Sequence, residues 1–305
     1  MTAAAAPRGQ PTETGRPTDN VCMRNNAAVL LIHCPDRKGL VAKVSGLLYE
    51  FGANIIHADQ HQDPAAGLFF MRVEWALEGF DLPRFEKEFR TLAEALNMRW
   101  TLESSVKQTR VALLVSQHVH CLADILQRHG SGELRCEIPL IIGNHPDAEP
   151  LAHFHGMAFH YIPTPREGKR TAEQEQLRLL RDAQVDIVVL ARYMQILSPE
   201  FVREYPARII NVHHSFLPAF IGARPYHAAF ERGVKIIGAT SHFVTEQLDE
   251  GPIIEQDVVR ISHRDQVQDL IRKGRDLERV VLSRALGWTL DHRVLSYGVK
   301  TVVFA

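Results

Sequence analysis

Two polar side chains stand at the end of an apolar run in the segment RIINVHHSFLPAF, residues 208–220. Asn211 and His213 are separated by one residue. In a β-strand, residues two apart point to the same face, so both side chains would project together. They would also lie at the carboxyl end of the strand, where open α/β sheets bind ligands. A carboxamide can donate to a carbonyl oxygen and an imidazole can transfer a proton, so the pair suits chemistry at a carbonyl group.

A second segment, GATSHFVTEQLDEGPII, supplies a carboxylate and another imidazole. A strand would deliver His242, and the loop after it would carry Asp249 to a position just before a Gly-Pro break. Asn211, His213 and Asp249, called the trio below, would support acyl chemistry without a nucleophilic side chain. The carboxylate would position the attacking group or fix the imidazole. A structural alternative stands beside this hypothesis, because single Asn and Asp residues at such positions are common turn formers.

Other catalytic chemistries have weaker support in the sequence. Histidines alternate at His118 and His120 and again at His153 and His155, a spacing that would allow chelation. However, no set of Cys, His and carboxylate residues has a recognisable metal-site spacing and no HExxH motif occurs, so we expect no metal. Ser215 lacks the GxSxG context of a serine hydrolase.

The composition indicates a two-domain protein of a reducing compartment. The chain has 305 residues, 45% of them hydrophobic and 23% charged, with a net charge of −1. This length suits two domains, and the near-neutral charge offers no basic face to nucleic acid or to an anionic membrane. The four cysteines form no CxxC pair, which favours reducing conditions. Residues 1–24 predict a mobile tail and not a signal peptide, and no run is long enough to span a membrane, so we expect a cytoplasmic protein.

The elements that would position these residues fall into two units. Residues 25–106 predict a ferredoxin-like βαββαβ unit, with helical periodicity at 40–51 and 83–97. In its third strand, apolar residues alternate with Arg72 and Glu74, and two helices would cover one face of the antiparallel sheet.

Residues 107–305 predict a doubly wound, mostly parallel α/β domain. Strands alternate with helical stretches, and several strands are near-continuous apolar runs, as expected when both faces of a parallel sheet are covered. The segment PIIEQDVVRI would add a strand to this sheet, and residues 265–288 would form a long amphipathic helix.

Two helix starts are predicted from local signals in this domain. Thr171 and Gln174 have the spacing of a capping box. Ser198 followed by Pro199 has the pattern of an N-cap with proline at the first helical position.

The motifs NVHHSFLP and SHFVTEQLDEGPII together resemble the folate-dependent formyltransferases, over about residues 110–297. The resemblance implies that the trio is catalytic. The segment ARYMQILSP, residues 191–199, is similar to the part of that family that hydrogen-bonds the pterin through its backbone. The folate-binding residues implied in this way are Met194, Gln195, Ile196, Leu197, His242 and Glu246.

The front unit resembles an ACT domain, a module that binds amino acids. Its segments CPDRKGL (residues 34–40) and GANI (residues 52–55) lie where that family places ligand contacts. An ACT-like domain before a formyltransferase-like domain resembles the formyltetrahydrofolate deformylases. The resemblance implies hydrolysis of 10-formyltetrahydrofolate, as substrate and without a further cofactor, to tetrahydrofolate and formate, which supplies formate for one-carbon and purine metabolism. It also implies methionine and glycine as effectors and a homodimer or homotetramer.

Two other functions stay open at this point. One is a transferase that passes the formyl group to an amine such as glycinamide ribonucleotide, and the other is a non-catalytic sensor of folate or amino acids. Between Val111 and Leu126 the chain has no glycine, so a glycine-rich phosphate loop is missing and water is favoured as the acceptor. The presence of the whole trio argues against the sensor.

Overall fold

The structure is a computed structural model that describes residues 26–219 and 225–305. The predicted tail at residues 1–24 lies outside the described residues. In the part of the chain that is described, no helix is both long and apolar enough to cross a membrane.

The front unit has the predicted βαββαβ order and an antiparallel sheet with strand order β2-β3-β1-β4. Its helices pack on one face of the sheet, where the fully buried side chains of Trp75, Phe85 and Phe89 meet. Burying each such ring stabilises the fold by about 1.5–3 kcal/mol. Its elements are β1 (Ala27–Pro35), α1 (Leu40–Glu50), β2 (Ile55–Asp63), β3 (Leu68–Ala76), α2 (Leu82–Ala95) and β4 (Arg99–Ser104).

The rear unit is a seven-stranded sheet of order β11-β10-β9-β8-β5-β6-β7. Strands β5 to β9 are mutually parallel, whereas β10 and β11 are antiparallel to their neighbours. The predicted doubly wound, mostly parallel architecture is therefore confirmed. Its strands are β5 (Arg110–Val115), β6 (Glu137–Gly143), β7 (Phe159–Tyr161), β8 (Ile187–Ala191), β9 (Ile209–His213), β10 (Ile236–Phe243) and β11 (Ile253–Arg260).

Helices cover both faces of this sheet, and a hairpin ends the chain. The predicted long helix is present as α8. The elements are α3 (His120–Gly130), α4 (Glu149–Phe154), α5 (Lys169–Asp182), α6 (Pro199–Glu204), α7 (Pro225–Arg232), α8 (Val267–Leu290), and the hairpin strands β12 (Val294–Tyr297) and β13 (Lys300–Val303).

One of the two predicted helix starts is confirmed and the other is wrong. The side chain of Ser198 accepts a hydrogen bond from the backbone N–H of Phe201 and caps α6, as predicted. Thr171 does not cap a helix, because α5 already begins at Lys169 as the continuation of a 3₁₀ turn at Arg166–Gly168.

The second face of the front sheet packs against the end of the chain. Leu295 and Phe304, in and after the final hairpin, form an apolar cluster with Val29, Leu31 and Phe70. Phe70 shares its face of β3 with Arg72 and Glu74. The contact therefore buries these two polar residues as well.

Arg72 links the front sheet by hydrogen bonds to the two residues that follow α8. Its side chain is 2% exposed, and its Nη2 lies 2.8 Å from the Glu74 carboxylate. The guanidinium also donates to the backbone carbonyls of His292, at 3.0 Å, and Asp291, at 3.1 Å. A buried charge is tolerated only when it is paired and its donors are satisfied, and here the partners come from both units.

We expect Arg72→Met to lower the free energy of unfolding by about 3–5 kcal/mol, because it leaves the buried Glu74 carboxylate without its partner. Urea denaturation followed by circular dichroism measures the change. Arg90→Met is the control, since Arg90 forms an exposed ion pair with Glu86 and such pairs contribute about 0–1 kcal/mol. An equal decrease in the free energy of unfolding in the two variants would show that the contacts of Arg72 do not stabilise the fold.

Candidate active site

The antiparallel pairing of β9 with β10 assembles the first part of the site. Asn211 on β9 lies directly opposite His242 on β10, and His213 lies opposite Thr240. Directly opposed residues project to the same face of a sheet. Asn211, His213 and His242 therefore share one face near the carboxyl end of β9, as the sequence predicts for the first two.

Asp249 completes the trio from the loop between β10 and β11. Its backbone is in the left-handed region, with φ of 58°, which aspartate tolerates better than most residues. The carboxylate oxygen Oδ2 lies 3.2 Å from His213 Nδ1, and Oδ1 lies 3.8 Å from His242 Nε2. The hydrogen bond from His213 lowers the pKa of Asp249 more than burial raises it. The carboxylate therefore stays ionised and holds the His213 ring.

His242 fixes the orientation of the Asn211 amide. His242 Nδ1 lies 2.9 Å from the carbonyl oxygen of Phe243 and donates to it, and Nε2 lies 3.3 Å from Asn211 Nδ2. Burial lowers the pKa of His242, so the ring is neutral and its Nε2 accepts from the amide. This network assigns the amide nitrogen of Asn211 to the His242 side. The second N–H of Asn211 is then left for a ligand.

His213 Nε2 is a buried polar atom with no hydrogen-bond partner among the described residues. Buried polar atoms in folded proteins are nearly always satisfied, so an orphan calls for an explanation. His213 lines the cleft described next. A ligand atom in that cleft would supply the missing partner.

The trio lines a cleft of about 340 Å³, a volume in the range of small-molecule sites. The segment between β8 and α6 and the loop between β10 and β11 form its walls. The structure brings all the predicted folate-binding residues to this cleft, namely Met194, Gln195, Ile196, Leu197, His242 and Glu246.

The segment at residues 194–197 is held in place by polar contacts that the sequence did not reveal. The backbone N–H of Met194 donates to Ser116 Oγ at 3.0 Å, and Ser116 donates to Asn144 Oδ1 at 2.7 Å. Lys169 donates to the carbonyl of Ile196. The N–H of Met194 and the carbonyl of Ile196 are thus already used within the protein, which leaves other backbone groups of the segment for a ligand in the cleft.

Thr240 holds the turn that follows β9. Its buried hydroxyl donates to the carbonyl of Ser215 at 2.9 Å and accepts from the N–H of Leu217 at 3.0 Å. Ser215 itself donates to the carbonyl of Ala219 at 2.7 Å. The Ser215 hydroxyl therefore has a structural role, as the lack of a GxSxG motif suggested.

One group of side chains near the cleft has the composition of a metal site. Ligand atoms of His120, Cys121 and Glu278 lie within 4.8 Å of one another. Burial raises the pKa of the Cys121 thiol well above its usual value, and the thiol is a poor ligand while protonated. The prediction that no metal is bound stays a prediction.

Gly251 allows the loop that carries Asp249 to pass over β10. A Cβ at this position would lie 1.7 Å from the carbonyl oxygen of Phe243 and 3.3 Å from His242 Nδ1. That oxygen is the one that orients His242. No side chain larger than hydrogen fits here without moving the loop.

Two family models match the chain. The model described as formyl transferase matches residues 109–286, and the model described as ACT domain matches residues 28–74. A formyltetrahydrofolate deformylase of Synechocystis sp. is 58% identical over 285 residues, which cover 93% of this chain and 100% of that protein. Both predicted resemblances are therefore confirmed.

Solved structures agree with this result. A formyltetrahydrofolate deformylase from Pseudomonas syringae pv. tomato is 47% identical, with a TM-score of 0.91 and coverage of 93% of this chain and 96% of that chain. A glycinamide ribonucleotide transformylase from Symbiobacterium toebii is 31% identical, with a TM-score of 0.61 and coverage of 65% of this chain and 95% of that chain. The likeness to the deformylase thus extends over more of the chain.

We expect Gly251→Ala to lower the melting temperature by several degrees, because the new methyl group would overlap the Phe243 carbonyl and overpacking costs about 1–3 kcal/mol. Thermal unfolding followed by circular dichroism measures this. Gly46→Ala in α1 is the matched control, since a Cβ there meets nothing within 4 Å and alanine favours the helix. A Gly251→Ala protein with the melting temperature of the wild type would contradict the close contact between Gly251 and the Phe243 carbonyl.

Proposed function

The chain belongs to the formyltetrahydrofolate deformylases, and on that premise we infer that it is a hydrolase that converts 10-formyltetrahydrofolate and water to tetrahydrofolate and formate. The observation that carries this inference is the meeting of the trio at one cleft with the segment at residues 194–197. The trio suits acyl transfer to water, and the segment at residues 194–197 would hold the pterin. The formate would enter one-carbon metabolism and purine synthesis.

In the proposed mechanism, the free N–H of Asn211 donates to the formyl oxygen. As water adds to the formyl carbon, negative charge develops on that oxygen and the hydrogen bond strengthens. Because the neutral His242 fixes the amide, little reorganisation is needed when the charge appears. His242 is thus a positioning residue for Asn211.

His213 is the proposed proton carrier. With its Nδ1–H donated to Asp249, the unpartnered Nε2 can take a proton from the attacking water, and the Asp249 carboxylate stabilises the imidazolium that forms. The same Nε2–H then protonates N10 as the carbon–nitrogen bond breaks. Formic acid leaves and ionises to formate, so atoms and charges balance without any other reactant.

Water is favoured over an amine as the acceptor by the turn after β5. Residues 116–119, SQHV, contain no glycine, and the Ser116 hydroxyl is committed to Met194 and Asn144. This turn therefore holds the folate segment and offers no glycine-rich loop of N–H groups to a phosphate.

Regulation by methionine or glycine at the front unit is part of the proposal. The segments at residues 34–40 and 52–55 flank α1, whose 11 residues separate them by about 16 Å along the helix. One amino acid can contact both segments only if two copies of the chain lie together. This separation supports a homodimer or homotetramer as the binding form. The cytoplasmic location and the lack of a cofactor likewise stay predictions.

The first experiment incubates the protein with 10-formyltetrahydrofolate in amine-free buffer and follows tetrahydrofolate and formate together. We expect equal release of both products. Asn211→Ala should lower kcat by about two to three decades, the usual cost of losing one oxyanion donor, and Asp249→Ala should abolish release. Asn26→Ala is the control, because Asn26 is exposed and far along the chain from the trio.

Three results would contradict this proposal. Near wild-type turnover in Asn211→Ala or His213→Ala would remove the trio from the chemistry. Release only after addition of glycinamide ribonucleotide would identify a transferase. Binding of the folate with no product would identify a sensor.

The regulatory proposal has a separate test. We expect the rate of formate release to change as methionine or glycine is titrated, because a ligand that bridges two front units shifts the population of their arrangements. Alanine serves as the control amino acid. An unchanged rate across both titrations would count against regulation by these two effectors.

A further inference from the structure

A buried polar cluster around Glu278 lies beside the trio, and the mechanism above does not use it. Glu278, on α8, is 1% exposed. Its Oε1 accepts from the Tyr226 hydroxyl at 2.8 Å, and its Oε2 lies 2.6 Å from His120 Nε2. Burial raises the pKa of Glu278, but His120, Arg192 and Tyr226 together outweigh it and hold the pKa below its usual value. The carboxylate is therefore a buried anion.

Arg192 connects this anion to the cleft. It follows β8 with φ of 62°, a region that non-glycine residues seldom occupy unless other contacts hold them there. Its Nε forms an ion pair with the Glu278 carboxylate at 3.4 Å without a hydrogen bond, and its Nη1 lies 2.8 Å from His214 Nδ1. Arg192 and His214 both line the cleft.

The contact with Arg192 fixes the tautomer of His214. A guanidinium has only donors, so His214 Nδ1 must accept and the ring carries its single proton on Nε2. Among the described residues, the side chain of His214 has one hydrogen bond, at Nδ1, and its Nε2 has none. The ring stacks on His213, with centroids 5.1 Å apart and an angle of 19° between the planes. His214 therefore lies directly beside the proposed proton carrier.

Burial and the neighbouring cations keep His214 neutral. Burial, then Arg192 at the end of β8 and His213 on β9, lower its pKa to about 4, while Glu278 on α8 and Asp249 in the loop after β10 act in the opposite direction. The Tyr226 ring on α7 lies 6.1 Å away. Of these groups, Arg192 is the one that both donates to the ring and opposes its protonation.

We propose that the Glu278–Arg192 pair is a positioning device that holds His214 with its Nε2–H facing the cleft, as the donor that binds the attacking water. The proposal rests on the hydrolysis inferred above and names the subsite of its second substrate. The water oxygen accepts from His214 Nε2–H, which leaves a water proton for His213 Nε2 and a lone pair for the formyl carbon.

The neutrality of His214 has a catalytic reason in this scheme. His213 becomes an imidazolium when it takes the water proton, and a cationic neighbour at stacking distance would oppose that step. A ring held neutral donates one hydrogen bond and adds no repulsion. Loss of Arg192 should therefore damage the chemical step more than folate binding.

The first test is an NMR titration of the histidine rings, with His214→Gln used to identify the His214 signal among the 16 histidines of the chain. We expect no titration of wild-type His214 between about pH 5.5 and pH 8. In Arg192→Met the ring should titrate closer to the ordinary histidine value of about 6.5, whereas Arg192→Lys, which keeps the charge, should restore the wild-type behaviour.

The matched control for the titration is Arg279→Met, since Arg279 lies beside Glu278 on α8 and pairs with the exposed Asp276. It should leave the His214 signal unchanged. Titration of wild-type His214 near its ordinary value, or an unmoved signal in Arg192→Met, would overturn the proposal. The titration needs no turnover, so it stays informative even if hydrolysis fails.

The second test measures formate release against pH. We expect Arg192→Met to lower kcat by about tenfold to a hundredfold, as for a misplaced reactant, with little change in KM for the folate. Its kcat should also fall further as the pH drops and His214 becomes protonated, and the double variant Arg192→Met/His214→Gln should lack that extra fall.

Glu278→Gln provides a second route to the same conclusion. It removes the anion that anchors Arg192, so kcat should fall while KM for the folate is unchanged. Thermal unfolding of each variant separates this effect from a loss of structure. A wild-type kcat and pH profile in folded Arg192→Met or Glu278→Gln would overturn the positioning role.

Discussion

The antiparallel pairing of β10 with β9 is the constraint on which the site depends. In a sheet that is otherwise mainly parallel, this pairing places Asn211 opposite His242 and sends the chain into the loop that returns with Asp249 at 3.2 Å from His213. A shift of one residue in this register would turn every side chain of β10 to the other face. Two residues stabilise this arrangement. Thr240 holds the turn after β9 through its hydroxyl, and Gly251 leaves room for the loop that carries Asp249.

Surroundings, more than residue type, set the charge of each group in the cleft. His242 is neutral because burial lowers its pKa more than the hydrogen bond to the Phe243 carbonyl raises it. Asp249 is buried as well, yet it stays ionised because His213 donates to it. His214 stands beside His213, and burial together with the Arg192 guanidinium lowers its pKa to about 4. Burial alone disfavours charge, and a specific partner decides which group keeps it.

The sequence predicted those features that follow from periodicity. The shared face of Asn211 and His213 follows from the two-residue repeat of a strand, and the two units follow from their hydrophobic patterns. The approach of Asp249 to His213 did not follow from any pattern, since it depends on how a nine-residue loop folds, and only the family resemblance pointed to it. The role of Arg192 could not be predicted, because an arginine after a strand is common. Only the fold shows that it lies beside Glu278, which is distant in the sequence. Arg72 was hard to interpret for the same reason, as its partners lie at the other end of the chain.

The packing of the final hairpin on the front sheet bears on how the chain is made. During synthesis the front unit leaves the ribosome first, but the apolar face formed by Val29, Leu31 and Phe70 is covered by residues in and after the final hairpin, namely Leu295, Tyr297, Val302 and Phe304. That face stays uncovered until the hairpin has been synthesised, and uncovered apolar sheet surface promotes aggregation and chaperone binding. A chain truncated before the hairpin would keep this face exposed, so the hairpin is needed to complete the packing of the front unit.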